Sequence, residues 1–153
     1  MIGRETCEGR ANCGEALSRS PALKKSDLVS ETFTALPAML ERHPALIQRG
    51  RFLDVDCLLG STEQAFHVAI RAGRIMDMTP APVLMRSWKF GYRATPLAWI
   101  SFWQPMPKPG WHDLLSLTKR NEAMLEGDIQ PFMTNLQYFK DLLALPRKAG
   151  GAA

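Results

Sequence analysis

From Leu53 to Ala94 the chain alternates apolar and polar residues with a period of two, the spacing that turns one face of a β-strand to a core and the other to water. Leu53, Val55, Cys57 and Leu59 fall on one side, and Asp54 and Asp56 on the other. After the turn-forming Gly60, Ser61 and Thr62, a second strand puts Phe66, Val68 and Ile70 on one face and His67 and Arg71 on the opposite one. Ala72-Gly73 suits a tight hairpin into a third strand over 74–79, which Pro80 and Pro82 end because proline cannot donate to a ladder. A fourth strand is expected over 83–94, with Trp88, Phe90 and Tyr92 alternating with Lys89, Gly91 and Arg93. A run of strands with one apolar face each must be covered by other elements, and the rest of the chain supplies them.

The cover is helical. From Asp27 to Gln48, Leu28, Phe33, Leu36, Met39, Leu40 and Ile47 suggest helix, which Pro37 and Pro44 should break into short pieces before Gly50 closes the segment. Thr95-Pro96 reads as an N-cap and first-turn proline, opening a short helix with Leu97, Trp99, Ile100 and Trp103 that the proline-rich loop 104–110 stops. A second short helix over 111–119 buries Leu114, Leu115 and Leu117, and a last strand follows over 123–126. Asp128 then caps a final helix carrying Ile129, Phe132, Met133, Leu136, Phe139 and Leu143 at helical spacing, one long stripe to set against the sheet.

Residues 1–26 are rich in Gly, Ser, Arg and Glu without periodicity and are expected to form a flexible lead. One domain over 27–147 and a loose tail over 148–153 complete the organisation. No apolar run approaches the roughly 18 residues of a membrane span, and the first residues lack a signal-like apolar block, so a cytoplasmic protein is expected. Three cysteines, Cys7, Cys13 and Cys57, fit reduced thiols. The net charge of +4 is spread over nineteen Lys and Arg, not the dense stripe that nucleic acid favours. Arg19, Lys24 and Lys25, just ahead of an apolar helical stretch, would suit transient contact with an anionic membrane surface.

The order helix, four strands, two short helices, strand and capped terminal helix resembles the sterol carrier protein 2 (sterol-binding) domain family, over about 36–146. The sharpest local support is Met124-Leu-Glu-Gly-Asp128 leading into Pro131-Phe-Met-Thr-Asn-Leu136 and Leu142-Leu143. It is similar to the family's closing pattern, an apolar strand ending in Gly-Asp or Gly-Asn before an amphipathic helix. Pro109-Gly-Trp-His-Asp-Leu-Leu115 resembles a bacterial branch of the family. The resemblance implies an α+β fold: a five-stranded, mainly antiparallel sheet covered on one face by helices, with an apolar cavity between the layers. It also implies binding of a sterol, fatty acyl or prenyl lipid without catalysis or cofactor, and, from relatives that assist ubiquinone synthesis, a partner enzyme in lipid or quinone metabolism. The loop 104–110, the tryptophans and the N-terminal extension depart from the best-known members.

The expected cavity lining is Phe90, Trp99, Trp103, Met124, Phe132, Met133, Leu136 and Phe139. Methionine's flexible thioether suits irregular ligands, although the same stripe is what an ordinary core would show. Ten buried methylenes are worth roughly 8 kcal/mol before ordering costs, about the micromolar scale. Trp111-His112-Asp113 is the one local cluster that could do acid–base work, as an enzyme or accessory factor for a hydrophobic substrate. Neighbouring helical residues do not face each other, however, and Asp113 also suits a helix cap. His43, His67, His112 and Cys57 show no metal-ligand spacing, and the isolated glycines form no phosphate-cradling loop. A protein-interaction module, docking through the proline-rich loop and tryptophans, is the remaining alternative.

Overall fold

The computed structural model describes residues 24–150. Residues 1–23 of the expected flexible lead, with Cys7, Cys13 and Arg19, and the last three residues of the expected tail lie outside them, whereas Lys25 and Ser26, also expected in the lead, already belong to the first helix. In chain order the elements are α1 (Lys25–Glu41), α2 (Pro44–Arg49), β1 (Val55–Ser61), β2 (Ala65–Arg71), β3 (Arg74–Pro80), β4 (Phe90–Ala94), α3 (Pro96–Phe102), α4 (Leu114–Lys119), β5 (Ala123–Gly127), α5 (Gln130–Thr134), α6 (Leu136–Leu143) and α7 (Leu145–Gly150). The five strands form one sheet in the order β3-β2-β1-β4-β5. Neighbours are antiparallel except β1 and β4, which run parallel with Cys57 opposite Phe90 and Leu59 opposite Tyr92. This is the α+β class expected, mainly antiparallel with helices on one face.

The alternation read from the sequence sets that face. Val55, Cys57 and Leu59 of β1, Phe66, Val68 and Ile70 of β2, and Phe90 and Tyr92 of β4 are all buried under the helices. Ala72 (φ 51°) and Gly73 (φ 77°) make the left-handed pair of a two-residue hairpin between Arg71 and Arg74. Gly73 also presses on Gly50: a Cβ on Gly50 would stand 2.9 Å from the Gly73 Cα and 2.5 Å from the Tyr138 ring. Tyr138 locks the junction by donating its hydroxyl to the Gly73 carbonyl at 2.8 Å. At the start of α3, Thr95 accepts from the Ala98 N–H at 3.2 Å with Pro96 behind it, as its sequence predicts.

Four local expectations are corrected. Pro37 does not break α1, which runs on to Glu41. It forfeits one backbone donor, while Val29, Phe33, Leu36 and Leu40 all remain buried, and the packed face outweighs the lost bond. The fourth strand begins only at Phe90. Residues 81–89 form a connection that has to cross the sheet from β3, at one edge, to β4 beyond β1, with Met85 in the left-handed region (φ 58°). Trp88 therefore lies on the face away from the helices, against Gly91 and Leu58, and not beside Phe90 and Tyr92. The final helix is three helices. Asn135 (φ −111°, ψ 29°) leaves the helical region and its side chain donates to the Pro131 carbonyl, and Pro146 sits in the first turn of a fresh helix. Residues 148–150, expected in a loose tail, continue α7.

The crossing segment is stitched to the sheet by Ala81 N–H to the Ala65 carbonyl (2.9 Å) and Lys89 N–H to the Asp56 carbonyl (2.8 Å). Arg86 pairs with Asp77 at 2.7 Å. Beneath it His67 is 5% exposed, and burial together with the Arg86 charge holds its pKa below the ordinary imidazole value. A histidine with a depressed folded pKa binds fewer protons folded than unfolded, so stability from this site is intact above about pH 6.5 and declines as pH falls below it. Denaturant melts at falling pH should show this acid-side decline reduced in His67→Gln. Gly50→Ala should lose about 1–3 kcal/mol in the same melts, because the new methyl collides with the Tyr138 ring and the Gly73 backbone. A Gly50→Ala protein as stable as the wild type would show that this junction is not the tight contact described.

Candidate ligand site between the helices and the sheet

The space between the layers is paved with aromatic rings. Phe90 on β4 meets Phe132 of α5 at 5.5 Å and Phe139 of α6 at 5.2 Å between ring centroids, and Tyr92 stacks on Phe132 at 5.8 Å. Trp99 of α3 lies 5.9 Å from Tyr92, 5.9 Å from Phe102 and 5.3 Å from Trp103, and Phe33 of α1 closes the edge 5.1 Å from Trp99. Buried polar groups on these rings all find partners, as burial requires. Trp99 donates to the Gly60 carbonyl (2.9 Å), Trp103 to the Leu143 carbonyl (2.8 Å) and Tyr92 to the Leu114 carbonyl (2.9 Å). Burial pushes the Tyr92 and Tyr138 hydroxyls and the Cys57 thiol well above their usual pKa ranges, so none is an acid or nucleophile near neutral pH.

Of the eight residues expected to line a cavity, Phe90, Trp99, Phe132 and Phe139 are fully buried in this layer, Trp103 stacks at its margin, and Leu136 is half-buried against it. Their rings touch one another across the space between helices and sheet. Met124 and Met133 are elsewhere. Met124 pairs with Arg93 on the sheet face opposite the helices and is 53% exposed, and Met133 points outward at 46%. Strand alternation explains the first: Ala123 and Leu125 face the helices, so Met124 cannot. Phe33, Tyr92 and Phe102 complete the layer but were not among the eight expected lining residues, although Phe33 and Tyr92 were read as apolar-face positions of their helix and strand.

Phe132 is mounted differently from its neighbours. It is the one buried residue of α5, a five-residue helix. Before α5, Gly127 adopts φ 85°, where a Cβ would stand 2.5 Å from the Lys89 carbonyl oxygen. Asp128 does not cap α5 as expected: Ile129 holds the N-cap position without a side-chain hydrogen bond, and Asp128, one residue earlier, accepts from the Gln130 N–H at 3.1 Å in a local turn. After it comes the break at Asn135. Exposed Ile129 and Met133 flank the buried ring.

Three surface clefts adjoin this region. One of about 360 Å³ is lined by Phe102, His112, Asp113, Lys140, Asp141 and Arg147 among others. Asp113 does not cap α4 as its position suggested. Its carboxylate pairs with Lys140 at 2.9 Å, and His112 is on the rim without a hydrogen bond among the described residues, so the two form no acid–base dyad. A smaller cleft of about 170 Å³ lies across Asp141, with His43, Arg49 and Lys148. A third, of about 410 Å³, runs between α3 and the proline-rich loop, where Leu97 and Met106 are exposed beside Trp111. No helix among the described residues is long and apolar enough to cross a membrane.

No family model and no curated protein sequence matches the chain. Solved structures do. A crystal structure of sterol carrier protein 2 superposes with a TM-score of 0.58 at 15% identity, over 74% of this chain and 92% of that one. The UbiJ-SCP2 ubiquinone synthesis protein gives 0.51 at 17%, over 78% and 90%. A conserved hypothetical protein from Thermus thermophilus, described as possibly a sterol carrier protein, gives 0.51 at 12%, over 73% and 83%. Likeness at these identities speaks for architecture, and the architecture agrees with the strand order and helix placement derived above: the chain has the sterol carrier protein 2 fold.

Proposed function

We propose that the protein is a non-catalytic binder of one hydrophobic small molecule, a sterol, fatty acyl or prenyl lipid, taken up between the helices and the sheet in the cytoplasm. The observation that carries this reading is the mounting of Phe132. A single ring on a short helix, bracketed by a glycine joint and a backbone break, plugs an otherwise continuous aromatic layer. Swinging α5 outward removes Phe132 from Phe90 and Tyr92 without disturbing the sheet, and opens room for an apolar guest on the remaining rings. The likeness to sterol carrier protein 2 and to a ubiquinone synthesis protein supports the ligand class, and the second suggests a partner enzyme of lipid or quinone metabolism. Contact with an anionic membrane through the Lys24–Lys25 start of α1 would serve loading.

A second reading draws on the ring-to-ring packing of the layer and the exposed Leu97–Met106–Trp111 groove: an interaction module whose interior never opens. The two diverge on Phe132→Ala. Removing the ring should lower stability by about 3–5 kcal/mol and, if the layer accepts ligands, tighten binding of fluorescent acyl, sterol or prenyl probes by vacating the plug position. Native mass spectrometry of the wild type should release a lipid. A wild type that carries none, together with a folded Phe132→Ala that binds no probe, would leave the interaction module standing.

A further inference from the structure

The face of the sheet opposite the helices carries a cleft of about 290 Å³. Its floor is Leu58 of β1 and His67 of β2, which stand opposite each other in the antiparallel register. The crossing segment forms one wall, with Ala81, Pro82 and Trp88, and Arg93 of β4 forms the other. Gly91 makes the first wall possible: it pairs with Leu58 and has no side chain, and the Trp88 ring lies 3.6 Å from where its Cβ would be. The rim is fixed in advance. The Gln64 side-chain amide donates to the Ala65 and Ala81 carbonyls at 2.7 and 3.1 Å, tying the turn between β1 and β2 to the crossing segment.

The polar group on the floor is unsatisfied. His67 is 5% exposed, yet its ring makes no hydrogen bond among the described residues, and the little exposure it keeps opens on the cleft. A buried imidazole ordinarily finds a partner. The charges that face it are already matched. Arg86 of the crossing segment holds Asp77 of β3 at 2.7 Å and donates at 3.1 Å to Thr79, the β3 residue opposite His67, and Arg93 holds Glu126 of β5 at 2.7 Å. Glu63, in the turn, is exposed to water at the rim. Burial and the Arg86 charge keep the imidazole neutral near pH 7, so it offers one acceptor nitrogen and one donor. Its complement is an uncharged guest with a hydroxyl to donate, and the apolar surfaces of Leu58, Pro82 and Trp88 suit an aromatic ring. A cavity of roughly 150 Å³ admits benzene, so the cleft has room for one substituted ring.

We propose that this outer-face cleft is a binding site for a small uncharged phenol, with the His67 imidazole accepting the phenolic hydroxyl and Leu58, Pro82 and Trp88 enclosing the ring. The sheet separates it from the aromatic layer under the helices, and it does not depend on that layer opening.

Nuclear magnetic resonance titrations of the full chain with phenol, anisole and benzoate test it, read at the His67 ring nitrogens and at the indole N–H groups of Trp88 and Trp99. Phenol should move the His67 and Trp88 signals, leave Trp99 in place, and bind about tenfold more tightly than anisole, which keeps the ring and loses the donated proton. His67→Leu should erase that preference, and His67→Gln, whose side-chain carbonyl still accepts, should keep part of it. Signals at His67 and Trp88 that phenol does not move would mean that water alone occupies the cleft, and overturn the proposal. Movement at Trp99 instead would put the ring in the layer under the helices, which overturns this site and leaves the lipid-binding reading intact. Equal affinity for phenol and anisole overturns the role of His67, and benzoate binding more tightly than phenol overturns the uncharged class. A preference for phenol that survives in His67→Leu overturns the assignment too. Should His67→Leu not fold, the wild type still decides: phenol should shift the unprotonated His67 nitrogen and anisole should not, and equal shifts overturn the hydrogen bond.

Discussion

β1 and β4 lie side by side and run parallel, and most of the architecture follows from that one pairing. A parallel neighbour cannot be reached by a tight hairpin, so the chain must leave β3 at the sheet's edge, cross β2 and β1, and start β4 from the same end as β1. The crossing is made by nine residues without helix, pinned by the Asp56 and Ala65 carbonyls and by Arg86 on Asp77, with Trp88 pressed on Gly91. Because this segment occupies the outer face, every helix among the described residues is left to the other. The helical layer then rests on the faces of Phe90 and Tyr92, and the aromatic contacts above them are the consequence.

Those contacts are anchored as well as apolar. Three of the large rings, Tyr92, Trp99 and Trp103, each donate a hydrogen bond to a backbone carbonyl on a different element, which fixes their position along the layer. Phe90, Phe132 and Phe139 have no such handle and are held by shape alone. The two classes divide the layer into a hydrogen-bonded part, around Trp99, and a part held by packing alone, under α5 and α6. A site that must open would be expected to use the second and leave the first as its floor.

The sequence shows the sheet better than the helices. A period of two survives tertiary folding because each strand has one buried face, so β1, β2 and the hairpin at Ala72-Gly73 are legible, as are β5 and the Thr95 cap. What was illegible depended on partners distant in sequence. Pro37 looks like a breaker until α1 is seen to bury four large residues on one face. Trp88 continues the alternation of Phe90 and Tyr92 yet belongs to a crossover that only the parallel pairing demands. Met124 shares its neighbours' apolar character but has the wrong parity for the helical face. Arg147 is the last residue of the expected domain with no local partner to mark it, and its Phe102 partner is 45 residues away. Asn135 was the one local warning that the terminal helix would break, since its side chain competes for backbone partners.

Ring-to-ring packing in the layer does not by itself rule out a guest, because displaced aromatic contacts are exchanged for ligand contacts of similar kind. The net balance is set by the ligand's own burial against the exposure of Phe132. Ten methylenes contribute about 8 kcal/mol and returning a phenylalanine to water costs about 3, leaving roughly 5 kcal/mol, between millimolar and micromolar affinity. A neutral tail alone would therefore bind weakly and leave quickly.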